Sequence, residues 1–288
     1  MGNTSNEEEA TIRHSVWYKK IPTMLTIGNS LCGFSAILYC LQVYEKTNIK
    51  TYDAIFATCA WIIVCAMVFD ALDGWSARKL KATSLHGLQM DSLADMVTFG
   101  ATPAVVVAIS AHFSALHEKN NLVFDGLLRY DRLVWACCAI YLACAASRLA
   151  FYNVVAMEEN DSDGNFSGLP SPGAAAGVCT IIIMNTSSVF AMPEWLMTVA
   201  LPIYTAFLGI LMVSSIPYPH MAKWLAGPSK RLRKMIVLAI VGIMFFVAAK
   251  ITLAAIVTLY ILSGPLVYLL KKITGKKVQE DSELEELL

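Results

Sequence analysis

Long apolar runs recur along this chain of 288 residues and limit what it can fold into. Hydrophobic residues make up 57% of the sequence and charged residues only 15%, whereas an ordinary soluble domain has roughly 25% charged residues. A helix needs about 20 apolar residues to cross a bilayer, and several runs reach that length. Backbone polar groups in lipid must be satisfied internally, so such runs predict helices. The expected fold class is an all-α polytopic membrane protein.

Eight runs are candidate transmembrane helices. The last two form either a tight hairpin around Lys250 or a less regular pair. The eight cysteines lie in apolar runs without CxxC pairing or histidine partners, which predicts free thiols rather than disulfides or a zinc site. The candidate spans are residues 23–43, 53–79, 88–112, 132–155, 172–191, 195–214, 233–249 and 251–270.

The distribution of positive charge predicts the orientation of these spans. An even number of spans places both termini on one side, and positively charged loops favour the cytoplasm. Fifteen of the 22 lysines and arginines lie in segments on the side of the termini, six lie on the other side, and Arg148 lies within a span. We therefore expect both termini, and the turn after the second span, to be cytoplasmic.

Four carboxylates stand at the ends of the second and third spans: Asp70, Asp73, Asp91 and Asp95. An ionisable group at membrane depth costs about 2.5–3.5 kcal/mol on insertion scales, so such groups are usually functional. At about 100° per residue, Asp70 and Asp73 share one helix face, and Asp91 and Asp95 share another. The connecting turn is short, so the helices are antiparallel neighbours and the two acidic faces can meet.

Carboxylates that converge repel one another unless protons or cations neutralise them. Oxygen ligands select hard divalent cations, namely Mg²⁺, Mn²⁺ or Ca²⁺, and four carboxylates suffice for a pair about 3.5–4 Å apart. Gly74, Ala77 and Gly87 leave the helix surfaces bare beside this site, so that a bulky ligand can approach. Arg78 is placed to pair with a phosphate.

Two other interpretations remain open at this point. The carboxylates can be helix-end charges that complement the helix dipole or pair with Arg78 and Lys79. Intramembrane acids also serve metal- or proton-coupled transporters. Against a transporter, no second acidic cluster lies near the bilayer midplane, and no pair of broken spans recurs in the two halves of the sequence.

The spacing of the carboxylates resembles the signature of the CDP-alcohol phosphatidyltransferase family. Asp70-xx-Asp73-Gly74-xx-Ala77-Arg78, eight residues, and then Gly87-xxx-Asp91-xxx-Asp95 agree with all eight fixed positions and every spacing. Further segments resemble the branch of the family that makes phosphatidylserine. These are residues 22–29, 96–104, 147–153, 166–172 and 212–219.

The sequence departs from that branch at two places. Thr23 stands where the branch usually has Asn, a change that affects a nucleotide contact. Phe151-Tyr152-Asn153 replaces Arg-Phe-Asn, which removes a cation near the expected headgroup pocket. Neither change touches the four carboxylates.

The resemblance implies transfer of the phosphatidyl group from CDP-diacylglycerol to the hydroxyl of L-serine, which gives phosphatidylserine and CMP. Carried onto this chain, it implies that Asp70, Asp73 and Asp91 hold one Mg²⁺ or Mn²⁺ and that Asp70, Asp91 and Asp95 contribute to a second, with Ca²⁺ as another candidate. Asp95 is also the expected general base, and Arg148 the expected partner of the serine carboxylate. Residues expected at the nucleotide are Gly74, Ala77, Arg78, Gly87, Thr26 and Asn29.

The acceptor alcohol is the open part of this hypothesis. Glycerol 3-phosphate and inositol phosphate enzymes share the carboxylate stretch but need extra cations for a phosphate, and few stand near this site. The resemblance further implies membrane lipids and a second copy of the chain as partners, no nucleic acid, and an active site at the cytoplasmic face.

The expected organisation has four parts. Residues 1–20 form a cytoplasmic segment and 21–220 the six-helix catalytic core of the family. Residues 221–272 form a basic loop and two further helices, to which no role is assigned, and 273–288 a charged cytoplasmic tail.

Overall fold

Helices make up nearly all of the part of the chain that the structure describes. The structure, a computed structural model, describes residues 3–45, 49–80, 84–117, 130–157, 168–186, 193, 196–218 and 231–274. No β-strand is assigned within these ranges. Residues 158–167, most of the basic loop after Tyr218 and most of the charged tail lie outside the described residues.

Eight helices are numbered here in chain order. Two π-helical turns, Met96–Ala101 and Leu196–Ala200, lead directly into α4 and α7. A 3-10 turn, Gln42–Glu45, follows α1. The helices are α1 Asn3–Leu41, α2 Ile49–Lys79, α3 Leu85–Asp95, α4 Thr102–His117, α5 Tyr130–Met157, α6 Ser171–Asn185, α7 Leu201–Val213 and α8 Arg231–Thr274.

Six segments of the described chain are long and apolar enough to cross a membrane, which confirms the predicted all-α membrane class. Each begins and ends within three residues of a predicted span. They are Ile21–Glu45, Thr51–Lys79, Leu85–Ala115, Asp131–Val155, Leu196–Val213 and Ala248–Leu269.

The predicted count of eight spans is not confirmed. The fifth predicted span, 172–191, corresponds to α6, which has 15 residues and ends at Asn185. At 1.5 Å per residue α6 is about 22 Å long, shorter than the roughly 30 Å hydrocarbon layer. The seventh lies in the first half of α8. That helix breaks at Ala248 (φ −146°, ψ 62°), two residues from the expected turn at Lys250.

Helix α6 lies at the centre of the bundle, against α2, α7 and α8. Its sequence is apolar on all sides, as expected for a helix surrounded by protein. Residues with no exposed surface include Ala174, Ala175, Val178, Cys179 and Ile183. This helix therefore joins the N-terminal and C-terminal parts of the chain into one core.

A short irregular segment fixes the beginning of α6. Gly168 has φ +102°, a left-handed conformation that a side chain rarely adopts, and a Cβ atom there would clash with the Met212 carbonyl oxygen. The Gly168 amide donates to the Ile216 carbonyl at 2.7 Å, and the Leu169 amide donates to the Leu211 carbonyl at 3.0 Å. The N-terminus of α6 is thereby held beside the C-terminal end of α7.

Candidate active site

Three of the four carboxylates converge between the C-terminal part of α2 and helix α3. Asp70, Asp91 and Asp95 each offer one carboxylate oxygen, and these oxygens lie within 4.8 Å of one another. Asp70 comes from α2, whereas Asp91 and Asp95 lie one turn apart on α3, as the spacing of four residues predicts. The antiparallel pairing of these helices brings the two acidic faces together.

Asp73 lies just outside this group of three. Asp73 is 4% exposed, and the charge of its carboxylate acts on Asp70, Asp91 and Asp95. The Thr26 side chain of α1 lies beside its carboxylate, while the Thr26 hydroxyl donates to the Pro22 carbonyl at 3.0 Å. The four carboxylates therefore share one electrostatic environment.

Two oxygens of this cluster are buried and accept no hydrogen bond from the described residues, Asp73 Oδ2 and Asp91 Oδ1. A buried polar atom without a partner costs about 1–3 kcal/mol, and more when it is charged. Divalent cations would satisfy these atoms and relieve the repulsion between the carboxylates. The donor set consists only of oxygens, which fits Mg²⁺, Mn²⁺ or Ca²⁺.

Asp95 is held by a residue of the first helix. It is 9% exposed, and its Oδ1 accepts a hydrogen bond of 3.1 Å from Asn29 Nδ2. The Asn29 carbonyl in turn accepts from Thr98 Oγ1 at 3.0 Å, one turn after Asp95. This contact fixes the direction of the Asp95 carboxylate relative to α1.

A π-helical turn, Met96–Ala101, follows Asp95 directly, and turns of this kind often occur at functional sites. It lies tightly against α1, because a Cβ atom at Gly33 would lie 2.6 Å from Thr98 Oγ1. The Tyr141 hydroxyl donates to the Phe99 carbonyl within the turn at 2.7 Å. The extra residue of this π-helical turn lets Asp95 face the other carboxylates from the end of α3. Thr98, within the turn, then faces Asn29 of α1.

The predicted bare surface is present at both glycines of the motif. A Cβ atom at Gly74 would meet only Arg78 Nη1, at 3.9 Å, and one at Gly87 would meet only Ser84 Oγ, at 3.2 Å. Ser84 caps α3 by accepting from the Gly87 amide at 3.0 Å. Neither glycine is needed for helix packing in the described chain, so both leave room for a ligand. Ala77 is half-buried and Arg78 is exposed on the same part of α2.

Arg148 lies on α5 at the same end of the bundle. Its Nη1 donates to Ser171 Oγ at 2.9 Å, and the charge of Asp95 acts on it. Its Nε is buried and donates to no described atom. The guanidinium therefore retains a donor for an anionic group, and Ser171, the first residue of α6, fixes one of its nitrogens.

Four residues of this region were not assigned a role from the sequence. Ser92 Oγ donates to Asn153 Oδ1 at 2.8 Å, which joins α3 to α5 between the two carboxylates of α3. Asn153 and Ser171 lie in segments that carry the family resemblance, so that resemblance could have pointed to both residues. Tyr260 of α8, whose ring packs on Gly173 of α6, lies in a span to which no role was given.

The opposite end of the bundle also carries ionisable groups. Asp53 Oδ1 accepts from Asn185 Nδ2 at 3.0 Å, which joins the beginning of α2 to the end of α6. Lys250 Nζ donates to the Thr186 carbonyl at 3.0 Å and to its hydroxyl at 2.9 Å. A lysine at this position satisfies carbonyl groups at the C-terminal end of α6. We call these residues the far end and the carboxylate cluster with Arg148 the site end.

Comparison with known proteins agrees with this geometry. The sequence profile described as CDP-alcohol phosphatidyltransferase matches residues 19–262. The chain is 34% identical over 203 residues to a CDP-diacylglycerol–serine O-phosphatidyltransferase of Bacillus subtilis, covering 70% of this chain and 92% of that protein. A Helicobacter pylori protein of the same name is 28% identical over 262 residues, 89% of this chain and 94% of that protein.

An archaeal relative has a related name. The archaetidylserine synthase of Methanothermobacter thermautotrophicus is 28% identical over 202 residues, 69% of this chain and 70% of that protein. The profile covers most of the chain and includes the four carboxylates, the two open glycines and Arg148. From this match and the site that it contains, we conclude that the chain belongs to the CDP-alcohol phosphatidyltransferase family, a family of phosphotransferases.

Proposed function

We propose that this protein transfers the phosphatidyl group of CDP-diacylglycerol to the hydroxyl of L-serine, which gives phosphatidylserine and CMP. Relatives that align over most of the chain carry the name of this activity. The observation that carries the proposal is the convergence of Asp70, Asp91 and Asp95 beside Arg148. A polar carboxylate-bearing acceptor and a pyrophosphate need these two kinds of group side by side.

The carboxylate cluster would hold the divalent cations, with Asp70, Asp73 and Asp91 at one and Asp70, Asp91 and Asp95 at the other. The buried acceptor atoms of Asp73 and Asp91 support this assignment. Bound Mg²⁺ or Mn²⁺ would neutralise the pyrophosphate and stabilise negative charge on the departing CMP. The carboxylate cluster would otherwise repel that substrate.

Asp95 is the proposed general base. The serine hydroxyl oxygen forms a bond to the phosphorus that carries diacylglycerol, the bond from that phosphorus to the CMP oxygen breaks, and the hydroxyl proton passes to Asp95. Asn29 donates to Oδ1 of Asp95 and holds the carboxylate in one direction, which leaves the other oxygen to face the acceptor.

Arg148 is the proposed anchor of the serine carboxylate. A guanidinium binds a carboxylate through paired N–H groups, and the unpartnered Nε of Arg148 is available for such a contact. We assign the nucleotide to the open face beside Gly74, Ala77, Arg78 and Gly87, with Thr26 next to Asp73 as a further contact.

The site would lie at the cytoplasmic membrane face, where a lipid substrate arrives from the bilayer and serine from the cytosol. The distribution of lysine and arginine supports this orientation. A homodimer, which the family resemblance implies, is part of the proposal.

One assay tests the proposed function. Purified protein is given CDP-diacylglycerol and either Mn²⁺ or Mg²⁺, candidate acceptors are supplied singly, and CMP release is measured. We expect CMP with L-serine, no activity in excess EDTA, and recovery when Mn²⁺ or Mg²⁺ is restored. Ether-linked CDP-archaeol serves as the second lipid, because one relative is an archaetidylserine synthase.

Three results would contradict the proposal. CMP release with glycerol 3-phosphate or inositol phosphate and none with serine would reassign the acceptor. Full activity in excess EDTA would remove the role of the carboxylate cluster in cation binding. Transport of Mn²⁺ or protons into vesicles that lack CDP-diacylglycerol, without CMP release in the assay, would favour a transporter.

A further inference from the structure

Two hydrogen bonds fix the first helix against the segment that follows Asp95. Thr98 Oγ1 donates to the Asn29 carbonyl at 3.0 Å, and Thr102 Oγ1 donates to the Gly33 carbonyl at 3.2 Å. A Cβ atom at Gly33 would lie 2.8 Å from Cα of Thr98, so the two backbones are in close contact. These contacts set the height and the rotation of α1, and therefore the place where the Asn29 side chain lies.

The Asn29 side chain has a hydrogen-bond partner at only one end of its amide. Its Nδ2 donates to Asp95 Oδ1 at 3.1 Å, and the residue has no exposed surface. Its Oδ1 is buried and accepts no hydrogen bond from the described residues. A carbonyl oxygen that loses water on burial costs free energy unless a partner replaces that water. The Asn29 oxygen therefore needs a cation or a hydrogen-bond donor.

Two neighbouring helices have oxygens with the same need. Asp73 Oδ2 of α2 and Asp91 Oδ1 of α3 are also buried and accept no hydrogen bond from the described residues. Asp91 and Asp95, the partner of Asn29, both belong to the group whose oxygens lie within 4.8 Å of one another. All three unpartnered atoms are acceptors, so one kind of ligand, a hard divalent cation, suits them all.

The number of ligands that such a cation requires gives an amide oxygen a place. Mg²⁺ takes about six oxygen ligands and Ca²⁺ about 6–8, and amide carbonyls of asparagine are among the ligands that proteins supply. Four carboxylates shared between two cations do not reach that number alone. A neutral amide oxygen adds a ligand without adding negative charge to carboxylates that already repel one another.

We propose that Asn29 Oδ1 is a further ligand of the cation bound at Asp95, which makes α1 the third helix of the cation site. The two ends of one amide then act together: Nδ2 orients the Asp95 carboxylate, and Oδ1 binds the cation. This inference rests on the proposed function, because it takes the carboxylate cluster as the cation site.

Asn29→Cys tests the proposal, with Asn185→Cys as the matched control. Asn185 Nδ2 donates to Asp53 Oδ1 at 3.0 Å, so the far end has the same kind of asparagine–aspartate hydrogen bond without the carboxylate cluster. Mn²⁺ and Cd²⁺ are titrated separately into the purified protein without lipid or serine. Electron paramagnetic resonance of free Mn²⁺ and calorimetry with Cd²⁺ give the two dissociation constants.

A change of ligand from oxygen to sulfur should change the preferred metal. We expect Asn29→Cys to bind Mn²⁺ about tenfold or more weakly than the wild-type protein. It should bind Cd²⁺ more tightly and show a sulfur-to-cadmium charge-transfer absorption, because thiolates select soft ions. Asn185→Cys should match the wild-type protein with both metals. The native cysteines are common to all three proteins, so the differences come from the substituted residue.

Asn29→Asp separates the role of the oxygen from that of the N–H group. It keeps the shape and an oxygen but loses the donor to Asp95. We expect it to bind Mn²⁺ at least as tightly as the wild-type protein. Its unfolding temperature should be lower than that of the wild-type protein without Mn²⁺, because the new carboxylate and Asp95 repel each other, and Mn²⁺ should remove that difference.

Failure of this inference and failure of the proposed function give different results. If the wild-type protein does not bind Mn²⁺, the cation-binding part of the proposed function fails. If it binds Mn²⁺ and Asn29→Cys has the same metal preference as Asn185→Cys, the inference is wrong and Asn29 acts only through its N–H group. Weaker Mn²⁺ binding by Asn29→Asp than by the wild-type protein would also overturn it, and this variant decides the matter if Asn29→Cys does not fold.

Discussion

The two ends of the helix bundle treat their ionisable groups differently. At the far end, Asp53 is hydrogen-bonded to Asn185, and Lys250 is hydrogen-bonded to Thr186. At the site end, buried oxygens of Asp73 and Asp91 and the Nε of Arg148 have no partner among the described residues. Both ends carry ionisable groups inside apolar helices. The difference lies in whether the polar atoms of these groups have hydrogen-bond partners.

This difference separates structural from functional charge. A paired charge in a membrane helix stabilises the fold at a tolerable cost, whereas an unpaired one is expensive and indicates that a ligand completes it. The glycines show the same contrast. A Cβ atom at Gly209 would lie 2.8 Å from the Tyr141 backbone, but one at Gly74 would meet only a flexible arginine. Space is thus kept open at Gly74 and filled at Gly209.

The strongest test of the comparison replaces one carboxylate at each end with an amide. Asp95→Asn removes the proposed base while keeping its size, and loss of a general base lowers kcat by about 10²–10⁴-fold. Asp53→Asn is the matched control at the far end. It should leave kcat within about twofold, since the hydrogen bond between Asp53 and Asn185 has a structural role. CMP release from CDP-diacylglycerol and serine measures both variants.

The contrast would fail in either of two ways. A near-normal rate for Asp95→Asn would reject Asp95 as the base. A loss in Asp53→Asn as large as that in Asp95→Asn, without loss of folded protein, would show that the far end takes part in the chemistry.

A substitution at an open glycine should have an intermediate effect. Gly74→Leu places a side chain where the nucleotide is proposed to lie, and a steric penalty of about 1–3 kcal/mol raises the KM for CDP-diacylglycerol roughly 5- to 150-fold. Stability should change little, because Arg78 can move away. Gly242→Leu is the control, since a Cβ atom there meets nothing within 4 Å.

Substitution of Gly209, which is packed against Tyr141, should instead affect stability. Gly209→Leu should lower the unfolding temperature, because Tyr141 backbone atoms cannot move aside. An unchanged KM in a folded Gly74→Leu variant would place the nucleotide elsewhere.

The smallest effect is expected at Lys250. Lys250→Met removes the hydrogen bonds to Thr186 and should destabilise the protein by about 1 kcal/mol, in line with polar contacts between membrane helices. Both KM values should stay unchanged. Unfolding in detergent and steady-state kinetics on the same preparation measure the two effects. A rise in serine KM without loss of stability would mean that the two ends are coupled.

Sequence periodicity and spacing were sufficient for six of the eight predicted spans and for the convergence of three of the four carboxylates. Apolar length located six spans to within three residues, because the bilayer imposes that length on any helix that crosses it. The spacing of four between Asp91 and Asp95, together with the short turn after α2, predicted that the carboxylates would converge. Both predictions depend on local geometry alone.

Contacts between distant parts of the chain were not predictable in this way. The π-helical turn after Asp95 depends on the close approach of Gly33 to Thr98, which no local pattern indicates. The contacts of Tyr260 with Gly173 and of Tyr218 with Gly264 likewise join α8 to segments far away in the sequence. The role of Asn29 also became specific only in three dimensions, where its amide contacts Asp95.

The length of α6 bears on how a water-soluble reactant meets a lipid. Its 15 residues span about 22 Å, so a hydrocarbon layer of about 30 Å exceeds this helix by roughly 8 Å. Helix α6 is surrounded by protein, so its short length leaves the polar groups at its ends inside the bundle rather than in lipid. Ser171 begins this helix and contacts Arg148, so part of the missing length lies beside the proposed anchor of the acceptor. A recess at this end of α6, inside the bundle, would let the proposed acceptor reach the lipid phosphate from the aqueous side.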